Sequence, residues 1–464
     1  MTVQLDTVIA EMPKLAVRQL GEMYACQSMT PIEVVQIYFD RIDRLNPQLN
    51  AYVTVDIEGA YSAAEASTKR WDTSTPLSPY DGVPIALKAN FAVQDWPWHA
   101  GIEAYKDRIA ANNAVVVDRL LDAGFIILGL TNMDEGALGA SGDNGWLGRC
   151  YSPLNFEHSI KYSLNNNDWS NRNLSPGGSS GGSAVAVAAS LCAAAIGTDT
   201  MGSVRIPGAY CGISSHKPSF GKIPTHGIVP LSTTYDSVGL LAQNSSDIEA
   251  ILSVISSSVT SRSQADSASC SQLRIACLDY STDVHCTSEI DALFEKVIKQ
   301  ITNNFGDVKT IAWPAIDISR LRRKLLLIAE IEAQQTHAHM LLTSADKFSS
   351  HFKSMLKFGE RKSQELMQTN EALEKAANQI RCELDAFDII LTPATPGPAF
   401  SFDSSVPENQ ADFSVLANVA GLPATVVNIG STEDGLPVGV QIMSKQGEDE
   451  NSLCVGRAVE DMFA

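Results

Sequence analysis

Apolar residues recur at three- and four-residue steps between positions 13 and 50, at Leu15, Val17, Leu20 and Met23 and again at Ile32, Val35, Ile37 and Ile42. That spacing predicts two amphipathic helices. Thr30 followed by Pro31 and Glu33 marks the start of the second, with Pro at the first helical position. The pattern then changes. Gly82-Val83-Pro84-Ile85-Ala86-Leu87-Lys88 is a short apolar run that predicts a buried strand ending on a lysine. A helix over Ala114 to Asp122, closed by Gly124, and a second apolar strand over Phe125 to Leu130 follow. Strand, helix, strand is the βαβ pattern of a largely parallel sheet.

From Ser141 to Leu174 the chain is rich in Gly, Asn, Ser and Trp without periodicity, which predicts a long surface loop. Asp247 to Ser258 reads as a helix, and Ser257 to Ser271 as a flexible, Ser-rich connection. Strands at Leu273 to Leu278 and Phe387 to Leu391 bracket a long, charged helical region, Ser288 to Asn303 and then Ile316 to Leu384. Two strands, Ala424 to Ile429 and Val438 to Met443, and a helix near Asn451 to Met462 end the pattern. No internal repeat and no clean domain break interrupt it.

Composition narrows the class. The 464 residues are 44% apolar and 19% charged, an ordinary globular balance. The formal charge of −19 argues against sequence-independent nucleic-acid binding, which needs Lys and Arg to neutralise phosphates. No apolar run approaches the roughly 18 residues that span a bilayer, so no membrane association is expected. MTVQLDTVIAEMPKL lacks the basic and then apolar pattern of a secretion signal. The nine cysteines form no CxxC pair and are odd in number, so they read as reduced thiols of a cytoplasmic protein.

The chemistry gathers in Ser175 to Arg205, SPGGSSGGSAVAVAASLCAAAIGTDTMGSVR. Its apolar run Ala184 to Ala195 predicts a buried helix with Ser183 near the N-terminus, whose amides and dipole favour polar contacts at the serine loop. A second turn then opens at Gly197-Thr198-Asp199-Thr200 and delivers Ser203, and consecutive N–H groups in such a turn can converge on an anion. Gly177 to Gly181 formally matches GxSxG, but that elbow must follow a strand and Asn171 to Pro176 is not one. A phosphate loop lacks its Gly-Lys-Ser/Thr. Two serines therefore stand beside oxyanion donors without an obvious base of their own.

GGSSGGSA, GTDTMGSVRIP and the upstream GVPIALKAN together resemble the amidase signature family, whose members hydrolyse carboxamides with a Ser-Ser-Lys triad. The likeness continues at Thr131-Asn132-Met133, Cys211-Gly212, Lys217-Pro218, Gly227 to Pro230, Asn418 to Ala424 and Gly435 to Gln441, covering roughly residues 10–245 and 387–460. The resemblance implies a single large α/β domain over residues 1–464, with a mixed, largely parallel central sheet flanked by helices on both faces. The signature core would span 60–245, and a variable, mostly helical region, 285–385, would contribute to the substrate pocket.

Carried over by position, Ser203 corresponds to the nucleophile, Ser179 to the bridging serine after a cis peptide bond, and Lys88 to the base. A lysine can act as base only when neutral, and burial at a strand end would lower its pKa from about 10.4. Alone, each of these residues would read as a surface lysine or a turn serine; together they point to catalysis. The N–H groups near Thr200, Met201, Gly202 and Ser203 correspond to the oxyanion hole, and Met133, Trp146 and Ser180 are candidates for the substrate pocket. Trp96, Trp98 and Trp146 read equally as pocket walls or as packing beneath loops. Asp199 and Arg205 read as a structural contact, and His337 and His339 as surface residues that hold no metal.

The expected function is an amidohydrolase that releases ammonia or an amine from a small-molecule amide, with no cofactor and with an assembly compatible with a homodimer. Met201 stands where glycine is usual, Ala89 where an aspartate commonly follows the lysine, and His99 near a common threonine. These departures bear on the substrate more than on the reaction. An amidotransferase glutaminase-type subunit needing partner chains, a Ser-His-Asp esterase and a catalytically silent scaffold stand as alternatives.

Overall fold

The structure, a computed structural model, describes residues 15–154, 173–256, 270, 272–313 and 315–463. The N-terminal stretch read for a secretion signal lies outside the described residues except for Leu15, as do most of the second half of the loop expected over 141–174 and nearly all of the Ser-rich connection.

The strands are Tyr52–Val55 (β1), Pro84–Lys88 (β2), Ile126–Thr131 (β3), Ala194–Asp199 (β4), Ser214–Lys217 (β5), Ser237–Ala242 (β6), Ile275–Leu278 (β7), Lys309–Ile311 (β8), Ile389–Pro393 (β9), Ala424–Ser431 (β10) and Pro437–Ser444 (β11). They form one mixed sheet in the order β1-β3-β2-β4-β6-β5-β10-β11-β9-β7-β8. Parallel pairing joins β3 to β2 and β2 to β4 at one side, and β9 to β7 and β7 to β8 at the other. An antiparallel run from β4 through β6, β5, β10 and β11 to β9 connects them. β2, β3 and β4 are buried at every position, because helices cover both faces. The chain is a single large α/β domain.

The first two predicted helices are Val17–Ala25 and Pro31–Leu49, and Thr30 forms a reciprocal capping box with Glu33. The single helix expected over Ala184 to Ala195 is a correction. A helix spans only Gly181–Ala188, and β4 begins at Ala194, taking in the Gly197-Thr198-Asp199 read as a turn. The helix stops where the Leu191 N–H bonds the Ala186 carbonyl and the Ser190 N–H that of Val187, with Ser190 at φ +54. That is a glycine-type C-cap made with serine, which leaves no signal in a run of small apolar residues. Beyond it, hydrogen bonding of β4 to both β2 and β6 outweighs the helical preference of its alanines.

The nine-thiol reading is corrected too. Cys270 and Cys454 are joined by a disulfide across 184 residues, and the other seven cysteines form no disulfide. The partners meet because the helix Asp449–Phe463 folds back beside the entry to β7, which spacing along the chain cannot reveal. Among the described residues no helix is long and apolar enough to cross a membrane.

Candidate active site

Parallel pairing of β3, β2 and β4 brings their carboxyl ends to one edge, the usual location of ligand sites in open α/β sheets. Lys88 stands opposite Thr131 in the register, while Leu87 stands opposite Ile196, so Lys88 ends β2 close to Thr198, one residue before the end of the neighbouring β4. The Lys88 side chain is fully buried and does not reach solvent. Its Nζ is hydrogen-bonded to Ser179 Oγ at 2.8 Å and to Thr198 Oγ1 at 2.9 Å. Asn90 Nδ2 also donates to Thr198 Oγ1, at 3.2 Å. Burial lowers the Lys88 pKa to about 7, opposed by the charges of Asp134, Asp236 and Asp199.

The Gly178–Ser179 peptide is cis, and Ser179 lies ninety-one residues from Lys88 in sequence. Gly178 admits no side chain: a Cβ there would lie 2.0 Å from Asp134 Oδ2. Asp134, buried in turn, accepts from the N–H groups of Ser141 and Gly142 and from the Ser141 hydroxyl. Ser180 is committed to the scaffold. Its N–H donates to the Ser203 carbonyl at 3.0 Å and its hydroxyl to the Thr198 carbonyl, so it knits the two serine loops together.

The second loop hangs on a buried ion pair. Arg205 donates to both carboxylate oxygens of Asp199, to the Ser414 carbonyl, to Gln441 and to Asn418. Asp199 in turn accepts the N–H groups of Gly202, at 2.8 Å, and of Val204. Burial alone would raise the Asp199 pKa, but Arg205 and Asn418 hold it well below the carboxylate range. Gly202, at φ +125, is thus pinned with its N–H already donated, unlike the free donor that the resemblance implied.

Ser203 opens on a cavity of about 170 Å³ whose walls include Gly178, Thr200, Met201, Ile206 and Leu231. The helix Ile318–Thr343 adds Arg322, Leu326 and Ala329, and the helix Ser350–Lys362 adds Met355. Arg322 pairs with Asp412 at 2.6 Å. Met133, Trp146 and Ser180, the pocket candidates from sequence, are not among these walls. Met133 is buried beneath Asn144, which caps its carbonyl, and Trp146 packs edge-on against His99 with ring centroids 5.0 Å apart. Trp98 is stacked beneath Arg108. His337 is buried and bonded to Tyr105, not at the surface as expected. Among the described residues no histidine lines the cavity.

Thr198, Asn90, Asp134, Asp236 and Arg322 were not singled out from sequence. Thr198 lay inside the quoted motif. The others are polar residues of ordinary type, and only the packed fold decides what they face.

A sequence model of the Amidase family matches residues 33–453. The A component of the glutamyl-tRNA(Gln) amidotransferase of Methylobacillus flagellatus is 28% identical, with 96% of each chain covered. A crystal structure of an amidase superposes with a TM-score of 0.84 at 24% identity, covering 97% of this chain and 100% of that one. The peptide amidase of Stenotrophomonas maltophilia gives a TM-score of 0.79 at 24% identity, covering 97% and 96%. The chain belongs to the amidase signature family.

Proposed function

We propose that the protein hydrolyses a small carboxamide through an acyl-enzyme on Ser203, with Ser179 relaying the proton to Lys88. The observation that carries this reading is the buried Lys88 amine, held 2.8 Å from Ser179 and depressed to a pKa of about 7. As Ser203 Oγ attacks the amide carbon, its proton passes to Ser179 and that of Ser179 to Lys88. The route reverses to protonate the departing nitrogen, which leaves as ammonia or an amine. Water, deprotonated along the same path, then releases the acid. The N–H groups of Met201 and Ser203, which donate to no main-chain carbonyl among the described residues, would face the oxyanion.

Ammonia release from a panel of aliphatic, aromatic and ureido amides tests this reading. Because only the neutral amine accepts a proton, kcat/KM should climb with pH through about 7 and level off above it. A rate that falls over the same interval would exclude a lysine base. Met201, half-buried in the cavity wall, narrows the space beside Ser203. Met201→Gly should therefore raise kcat/KM for a branched or aromatic acyl group over an acetyl-sized one by about tenfold; an unchanged ratio would move the acyl pocket elsewhere.

A second reading, a glutamine-hydrolysing component that works with partner chains, is favoured by the full-length similarity to the A components of glutamyl-tRNA(Gln) amidotransferases. Ammonia release that depends on co-purifying chains, and on glutamine, would select it.

A further inference from the structure

Resting on the assignment of Ser203 and Lys88 above, we infer that Asp236 is a positioning residue for the reaction, holding the Ser203 loop through Thr200 and supplying negative charge to the Lys88 environment. Asp236 directly precedes β6 and is buried. Its Oδ1 accepts the Thr200 hydroxyl at 2.6 Å and the Ser232 N–H at 3.1 Å, and its Oδ2 accepts the Leu231 N–H at 3.0 Å. Thr200 is the first residue after β4 and stands three positions before Ser203. Thr200 and Leu231 both form walls of the cavity on which Ser203 opens. One carboxylate thus fastens two sides of the pocket to each other.

The turn that carries Asp236 is itself anchored from outside the signature core. Glu332, on the helix Ile318–Thr343, accepts from the Ser232 hydroxyl at 2.8 Å and from the N–H and hydroxyl of Thr234. The charged groups that share this surrounding are Lys88 at the end of β2, Asp134 and Asp199 around it, and Glu332 behind the turn. Tyr235 lies next to Asp236 in the turn. Lys88 and Asp236 each favour the charged form of the other. Burial raises the Asp236 pKa to about 6, so the carboxylate is charged over most of the range in which a lysine base titrates.

The two roles separate by substitution. Asp236→Asn keeps an acceptor for Thr200, gives up the one for the Leu231 N–H, and removes the charge that supports the Lys88 ammonium. The acid limb of its kcat/KM profile should move to lower pH, since the amine is then neutral further down the scale. Thr200→Val keeps the charge and cuts the link, so kcat should fall about tenfold or more with the limb in place. Profiles of both variants are to be measured beside wild type and Ser203→Ala, with thermal unfolding of each as a control. If Asp236→Asn fails to fold, Thr200→Val decides the positioning role alone. A limb that stays put in Asp236→Asn together with an undiminished kcat in Thr200→Val would overturn the inference. If Ser203→Ala is inactive in the same assay, the hydrolase reading survives that failure; an active Ser203→Ala would overturn both.

Discussion

Ser203→Ala is expected to abolish amide hydrolysis, lowering kcat by about 10⁴- to 10⁶-fold, the range in which removal of a serine nucleophile falls. The substitution deletes one hydroxyl and disturbs little else. Ser203 is tied to the fold through its carbonyl, which accepts the Ser180 N–H, and its side chain faces the cavity wall. Folding stability should therefore stay within about 0.5 kcal/mol of wild type. Lys88→Ala should give a comparable loss of kcat, because Ser179 would be left without the amine 2.8 Å away that takes its proton. Rapid-quench measurement of product and of trapped acyl-enzyme separates the outcomes. A Ser203→Ala protein that retains a tenth of the wild-type rate would show that the nucleophile is another group.

Asp199→Ala is expected to act on stability as well as on rate. Arg205 has a fully buried guanidinium, and its only carboxylate partner among the described ion pairs is Asp199. Removing one member of such a pair strands an uncompensated charge and costs about 3–5 kcal/mol. The same substitution takes the acceptor from the Gly202 and Val204 N–H groups, so the loop on either side of Ser203 loses its anchor. Urea denaturation should show the lost stability, and activity at a pH and temperature where the variant remains folded should still be reduced by about 10²-fold. The pairing of effects sets Asp199 apart from Ser203, where rate alone should fall. A stability change below about 1 kcal/mol would mean that the Asn418 and Gln441 contacts suffice to hold Arg205.

The legible part of the fold was its apolar and amphipathic elements. β2 and β3 were visible because strands covered on both faces are continuous apolar runs, and Pro31–Leu49 was visible because its buried side repeats with the helical period. β5, Ser-Ser-His-Lys, was invisible because its polar side chains are buried, with His216 bonded to Thr425 and Asp449. The boundary between the small-residue helix and β4 was hidden for a different reason. Alanine-rich segments carry no periodicity, and sheet pairing alone separates one element from the next.

For the site, residue type and spacing pointed to Lys88, Ser179 and Ser203 because two glycine-flanked serines and a strand-end lysine form a compound pattern. They could not place the side chains. Parallel pairing of β2 with β4 sets Lys88 beside Thr198, and the Gly178–Ser179 turn brings the Ser179 hydroxyl to the amine. The cavity was decided still later, by the helix Ile318–Thr343 and the Met355 beside it, and not by Met133 or Trp146. Local sequence determined which groups are available and which elements carry them, because periodicity and turn chemistry act over a few residues. The tertiary structure alone decided the depressed pKa of Lys88, the clamp on Gly202 and the reach of Asp236, because burial and hydrogen bonding between residues tens to hundreds of positions apart arise only when the chain is packed.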